Sequence, residues 1–257
     1  MTRNKTIKLA AAALCSVMLG ATVSLAAESD VELLEAEFHH EGIFGSFDRP
    51  SVQRGFQVYR TVCAGCHGLK YMAFRNLGAI GYDEDQIKAI AAEYDITDGP
   101  NDDGEMYDRA GIPSDHLPSP YPNEKAARAS NNGALPPDLS LITKAREDGT
   151  HYVYSLLQGY VDPPAEVEVP EGMNYNEYFP GHMIAMAQPL YGDDVEYQDG
   201  TEASIRQEAH DLAAFLTWVA EPKLEERKET GLKAILFLVI FSGIFYAYKR
   251  KIWADLH

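Results

Sequence analysis

Cysteine is scarce, with three in 257 residues, too few for a disulfide scaffold. Positive charge is scarce too. Lys and Arg number 22 against 39 Asp and Glu, a formal net charge of −17. Phosphate neutralisation needs surplus Lys and Arg, so a nucleic-acid partner is excluded. No strand-rich region and no internal repeat stand out. Long apolar runs are missing from the interior and occur only at the two ends. The mean hydropathy of −0.27 therefore describes a mostly soluble chain. The composition is 46% hydrophobic and 24% charged, which excludes disorder or collagen-like structure for the bulk. The length allows one large domain or two small ones.

The first apolar run reads as a cleaved secretory signal over residues 1–26. Arg3, Lys5 and Lys8 supply a positive start, and Leu9 to Val23 is apolar and small. Ser24-Leu25-Ala26 places small residues at −3 and −1 of a cleavage site, with Ala27 the second choice. Cys15 would be discarded with this segment; Leu14 before it does not fit a lipoprotein site. The second run, 231–248, contains LKAILFLVIFSGIFYAY over 232–248. At about 1.5 Å per residue it reaches most of the way across a ~30 Å hydrocarbon core. Lys249-Arg250-Lys251 follows at once, and the positive-inside rule puts the tail 249–257 in the cytoplasm. The exported domain is then 27–230, with 15 basic and 38 acidic residues, net −23. Such a field steers a basic partner.

With the signal removed, the remaining cysteines are Cys63 and Cys66, in Cys63-Ala64-Gly65-Cys66-His67. C-x-x-C-H is the attachment signature of a c-type haem. Two thiols two residues apart can add to the two vinyl groups of one porphyrin, and the adjacent histidine falls under the iron as an axial ligand. A thioredoxin-like pair would want a βαβ setting. A zinc site would want two more ligands at short spacing.

Before the motif, Val52, Phe56 and Tyr59 recur at helical spacing, with Gly55 beside Phe56. A second helix is predicted over 203–220, where Ile205, Leu212, Phe215, Leu216 and Val219 share a face and Pro222 follows. A small residue beside an aromatic suits a close crossing of these two helices. The stretch 95–140, rich in Pro, Gly, Asn and Asp, predicts long loops wrapped around a prosthetic group. For the sixth iron ligand, spacing leaves His182, Met183 and Met186 open, all in GHMIAMAQPL. Met72 is too close to His67 to reach the opposite face.

From about residue 40 to 255 the chain resembles the cytochrome c1 family, the haem-bearing subunits of ubiquinol–cytochrome c oxidoreductase. The stretches that carry the resemblance are Arg54-Gly-Phe-Gln-Val-Tyr59, Cys63–His67, Asp98-Gly-Pro-Asn-Asp-Asp-Gly-Glu-Met106 and Asn131-Asn-Gly-Ala-Leu-Pro-Pro-Asp-Leu-Ser140. Tyr178-Phe-Pro-Gly181, Ile184-Ala-Met-Ala-Gln-Pro-Leu190 and Ala220-Glu-Pro222 complete them. Two of these, Asn131–Ser140 and Ile184–Leu190, are far more particular than C-x-x-C-H. Gln188 departs from the proline many relatives carry, and the extra cysteine pair of some bacterial relatives has no counterpart.

The resemblance implies a mainly α fold: a c-type cytochrome domain with long loop insertions around one haem, plus one C-terminal transmembrane helix. It assigns Met186 as the sixth ligand opposite His67, and places Asn131, Arg146 and Tyr152 near the haem propionates. Arginine offers such carboxylates a bidentate fork; without the family, Arg146 reads as a solvated charge beside Lys144 and Glu147. The resemblance further implies a one-electron relay in a cytochrome bc1 complex, with cytochrome b and the Rieske iron–sulfur protein as partners. It implies a soluble c-type cytochrome as acceptor, which the acidic domain expects to be basic. The haem domain would face the periplasm from the inner membrane. Two other readings remain. A membrane-tethered cytochrome shuttle would want a long flexible linker before its anchor. A haem enzyme or sensor would want an open iron position. Two acidic clusters, Asp98 to Asp108 and Asp193 to Asp199, are expected in surface loops, the second near the haem edge.

Overall fold

Pro50 presets the first turn of helix α1 (Arg49–Val58), where its missing N–H costs no hydrogen bond. The helix does not stop at Val58. It widens into a π-turn over Tyr59–Cys63, closed by Ala64 N–H donating to the Tyr59 carbonyl at 2.8 Å. A 3₁₀ segment follows over Phe74–Ile80. Asp83 and Gln86 then form a reciprocal capping box that starts α2 (Glu84–Ala92). Strands β1 (Asp95–Asp98) and β2 (Tyr107–Ala110) pair antiparallel. Asn123 caps the short α3 (Glu124–Ser130). Helix α4 (Gly149–Gln158) precedes the two-residue strands β3 (Asn174–Tyr175) and β4 (Met183–Ile184), which pair antiparallel. Ser204 caps α5 (Ile205–Ala220), and α6 (Leu224–Ile252) ends the chain. This computed structural model describes residues 31–254; the expected signal, 1–26, lies outside the described residues.

The fold is mainly α, as expected, and both predicted helices form. The expectation of loops across 95–140 needs correcting in part. A hairpin and α3 interrupt the stretch. Arg109, on β2, bridges Asp98 at 2.5 Å and Asp115 at 2.6 Å, tying the hairpin to the loop beyond it. Asp98 and Asp108 of the first acidic cluster therefore lie on strands rather than in a loop.

The core is the crossing of α1 and α5. At Gly55 a Cβ would lie 2.0 Å from the Asp211 carbonyl and 2.6 Å from Phe215 Cβ, so only glycine permits this approach. Around it Phe56, Tyr59, Phe215 and Trp218 are fully buried, with ring centroids 5.5–6.1 Å apart. One polar cluster crosses the same contact. The buried Asp211 carboxylate accepts from Ser51 Oγ at 2.6 Å, Arg54 Nε at 2.7 Å, Arg54 at a second nitrogen at 3.1 Å, and Gln207 Nε2 at 3.0 Å. Burial alone would raise this carboxyl, but the donors outweigh burial and hold it below the usual range. On the other side of α5, Thr150 of α4 meets Thr217 at 2.9 Å.

A strap over residues 38–47 joins this core to α6. Phe38 and Phe47 are buried on it; the buried His40 ring stacks on Phe47 at a centroid distance of 4.9 Å and lies tilted to Phe38 at 5.4 Å. Burial first, then the nearby Lys228 ammonium, pushes His40 down to about 4. The folded chain therefore keeps His40 neutral where the unfolded chain, titrating near 6.5, takes up a proton. Stability is fully present above pH 6.5 and falls as pH drops toward 4, by at most about 3 kcal/mol from this group. His40→Gln should flatten that acid limb in thermal unfolding of the chain between pH 4.5 and 7. An unchanged acid limb would remove His40 as its source.

Helix α6 has 29 residues, about 43 Å at ~1.5 Å per residue, enough to span a bilayer. Its apolar window has mean hydropathy 1.9 and none of it is buried against the chain. The expected segment 231–248 lies inside it, and the charged stretch before Gly231 belongs to the same helix. Lys249, Arg250 and Lys251 sit in its last turn, where cations also suit the helix dipole. Glu225 accepts from Phe47 N–H at 2.7 Å and from both terminal nitrogens of Arg49 at 3.1 and 2.7 Å. Lys228 donates to the carbonyls of His40 at 2.5 Å and Gly45 at 3.1 Å.

Candidate functional site

The π-turn delivers the C-x-x-C-H motif. Inserting one residue into the helix turns Cys63 back toward the core, where it is buried, while Cys66 stays exposed. Such turns recur at functional sites. Cys66 and His67 N–H both donate to the Cys63 carbonyl, at 3.0 and 2.9 Å, and Tyr59 Oη donates to the His67 carbonyl at 2.9 Å. The motif is thus a closed turn bolted to α1. Neither cysteine forms a disulfide, and burial pushes the Cys63 thiol up to about 12.

His67 Nδ1 lies 2.8 Å from the Pro137 carbonyl. A carbonyl only accepts, so Nδ1 carries the hydrogen and Nε2 keeps its lone pair, the arrangement of a metal-ligating histidine. Burial lowers the His67 pKa, favouring the neutral ring, although Pro137 and Asp138 act the other way. Asp138 accepts from Lys70 N–H at 3.0 Å and Ser140 N–H at 3.0 Å; Leu139 N–H donates to the Gly68 carbonyl at 2.9 Å. The particular stretch Asn131–Ser140 is therefore the brace that sets the histidine ring. Sequence reading marked the stretch and missed the roles of Pro137 and Asp138.

Of the three candidates for the sixth ligand, His182 has its ring oriented by the protein through Nδ1, which leaves its Nε2 as open as that of His67. Its Nδ1 meets the Asn176 carbonyl at 3.3 Å and its ring stacks on Tyr175 at 5.6 Å. Met183 is in the β4 ladder opposite Tyr175. Met186 lies beyond the strand, half-buried, its carbonyl accepting from Tyr160 Oη at 3.1 Å and Asn174 Nδ2 at 3.2 Å. Its carbonyl is thus held from two sides.

Asn131 and the pair Arg146–Tyr152 fall in two separate contact groups. Asn131 Nδ2 donates to the Ala127 carbonyl at 2.7 Å and the Tyr121 hydroxyl at 3.0 Å, and that hydroxyl lies 3.9 Å from Cys66 Sγ. Both Asn131 N–H groups are therefore engaged, and Tyr121, which sequence reading did not single out, is the side chain that reaches Cys66. Arg146 lies in the turn before α4, exposed, 5.8 Å over the ring of the buried Tyr152. It takes part in none of the described ion pairs, whereas its neighbour Lys144 is 3.8 Å from Glu221. Its guanidinium donates from Nη1 to the Ala145 carbonyl at 3.0 Å and lies over the Tyr152 ring rather than on a carboxylate.

A profile of the Cytochrome C1 family matches residues 38–256. The chain belongs to the cytochrome c1 family. It is 47% identical over 245 residues to the cytochrome c1 of Rhodospirillum rubrum, covering 89% of this chain and 90% of that one. It is 50% identical over 231 residues to a mitochondrial cytochrome c1 heme protein of Arabidopsis thaliana, covering 90% and 75%. A cytochrome b/c1 of Bradyrhizobium diazoefficiens is 50% identical over 238 residues, 84% of this chain but only 35% of that protein. The motif's own residues fit a haem: two free thiols beside a histidine whose Nδ1 is held and whose Nε2 is open.

Proposed function

We propose that this chain binds one haem c, joined to Cys63 and Cys66 by two thioethers with His67 and Met186 as axial ligands, and serves as the electron-transfer subunit of a cytochrome bc1 complex. The observation that carries the reading is the His67 ring, fixed by Pro137 with Nε2 free, beside the paired thiols. When bound, the haem supplies a one-electron ferric–ferrous couple. The chain holds both axial donors, which leaves no open position for substrate. Arg146 and Tyr152 offer donors to the propionates; Asn131 contributes by orienting Tyr121.

Electrons would enter from the Rieske iron–sulfur protein and leave to a soluble basic c-type cytochrome, with cytochrome b beside α6. The domain would face the periplasm from the inner membrane. Support for a fixed subunit over a tethered shuttle comes from α6, which runs without a break from the clamps at Glu225 and Lys228 into its apolar span. No flexible linker intervenes among the described residues.

The acidic surface needs one revision. Asp194 accepts from Tyr191 N–H at 2.6 Å and Gly192 N–H at 3.0 Å, and Asp199 pairs with Arg54 at 2.8 Å, so both hold structure. Asp193 and Glu196 are exposed and outside the described ion pairs. Reduction of a basic cytochrome c by the complex should slow steeply with rising ionic strength, since charges beyond about 8–10 Å are screened at physiological salt. Asp193→Asn with Glu196→Gln should lower the second-order rate and flatten the salt slope. Carbon monoxide binding to the reduced chain, or haem lost on denaturing electrophoresis, would overturn the His/Met, thioether-bound reading.

A further inference from the structure

Among the described residues, the two most exposed large apolar side chains are adjacent: Ile43 at 75% and Phe44 at 83%. Both exceed every large apolar side chain on the lipid-length helix α6, among which the most exposed is Val239 at 64%. They sit at the tip of a tight loop. Ser46 N–H donates to the His39 carbonyl at 3.0 Å, and Gly45 N–H to the Gly42 carbonyl at 3.4 Å. Gly42 has φ +68°, and a Cβ on Gly45 would lie 1.8 Å from the Glu41 carbonyl. The tip is a built turn. The same strap buries Phe38 and Phe47 at its base, so its outward apolar pair is not a failure of packing.

The position of the tip follows from its clamps. Phe47 is held at Glu225 and Gly45 at Lys228. Passing from Phe47 to Gly45 thus descends about one turn of α6, roughly 4.5 Å toward the apolar span. An extension in the same direction would bring Phe44 and Ile43 toward the level of Gly231 and Leu232, where the apolar run begins. The one charge in the turn is drawn back, since the Glu41 carboxylate lies 2.9 Å from His151 Nε2. Lys228 fixes the base of the tip, its ammonium donating to the His40 and Gly45 carbonyls. A pair of large apolar side chains at this depth loses water by entering the boundary between headgroups and acyl chains.

We propose that the Ile43–Phe44 tip inserts into the lipid interface beside α6 and gives the haem domain a second, shallow contact with the bilayer. One helix leaves a domain free to tilt; a second contact to its side sets the height and tilt of the domain above the membrane. The proposal rests on α6 crossing that membrane and not on the identity of the redox partners.

The test uses the full haem-loaded chain in phosphatidylcholine nanodiscs, with Ile43→Cys and Phe44→Cys carrying a nitroxide spin label. The parent, its two cysteines held by haem, is the unlabelled control. Collision rates with oxygen and with a water-soluble nickel chelate report depth. Val239→Cys in mid-span and Asp102→Cys on the hairpin calibrate lipid and water. At 43 and 44 the oxygen-to-nickel ratio should exceed that at 102 by several-fold and stay below that at 239. A ratio equal to that at 102, with 239 reading as lipid, overturns the tip contact and leaves the anchor intact. Low collision rates with both reagents would mean that protein covers the tip, which also overturns it. A watery reading at 239 removes the anchor and the proposal with it.

Discussion

Met186→Leu should lower the reduction potential by tenths of a volt while leaving the haem covalently attached. Axial ligands command a range of about 0.8 V, and a thioether favours the ferrous state. The local fold should survive, because the bonds that fix this residue run to its backbone: Tyr160 Oη and Asn174 Nδ2 both donate to the Met186 carbonyl. Leucine keeps that carbonyl and much of the volume. Cys63 and Cys66 are untouched, so the chain should still carry haem through denaturing electrophoresis. The same substitution at Met183, in the β4 ladder, should shift the potential little. His182→Asn is the third arm: its Nε2 is as open as that of His67, and a potential near the parent value removes it as the ligand. Potentiometric titration of the three variants decides the ligand. A large drop in Met183→Leu with none in Met186→Leu would reassign it.

The parts of this fold that were legible in the sequence are those with a period or a fixed spacing. Val52, Phe56 and Tyr59 announced α1, and the apolar face from Ile205 to Val219 announced α5. The Gly55–Phe56 pair pointed to their close crossing, which the structure places on Asp211 and Phe215. The chemistry of Cys63, Cys66 and His67 is local and was readable for the same reason. What the sequence hid is long-range. Pro137 reaches His67 across 70 residues, and Tyr160 reaches Met186 across 26. Neither a backbone carbonyl nor a lone tyrosine has a sequence signature. The hairpin at Asp95–Ala110 was hidden by its composition: its strands carry Asp95, Asp98, Asp108 and Arg109, and its burial pattern has no apolar face. It is held by Arg109 rather than by a core. The acidic clusters show the converse error. Charges counted along the chain look free, yet Asp98, Asp194 and Asp199 each hold a partner.

Gly55→Ala should be strongly damaging although it adds a single methyl group. The added Cβ would lie 2.0 Å from the Asp211 carbonyl oxygen, and that oxygen belongs to the backbone of α5. A flexible side chain could swing away, whereas a helix backbone moves only as a unit. Parting α1 from α5 would open the fully buried Phe56–Phe215–Trp218 stack. It would also lengthen the bonds from Ser51 and Arg54 to the buried Asp211. Overpacking alone costs about 1–3 kcal/mol, and loosening a buried ion pair adds to it. The consequence reaches the site, because α1 continues into the π-turn that carries Cys63. Haem loading should therefore fall along with thermal stability, although no residue of the motif has changed. Gly78→Ala is the matched control: its Cβ would meet Ile87 Cδ1 at 3.6 Å, an ordinary contact. It should load haem and unfold like the parent. Haem content per chain and the unfolding midpoint measure both variants, and a Gly55→Ala protein indistinguishable from Gly78→Ala would show that the two helices do not need to meet this closely.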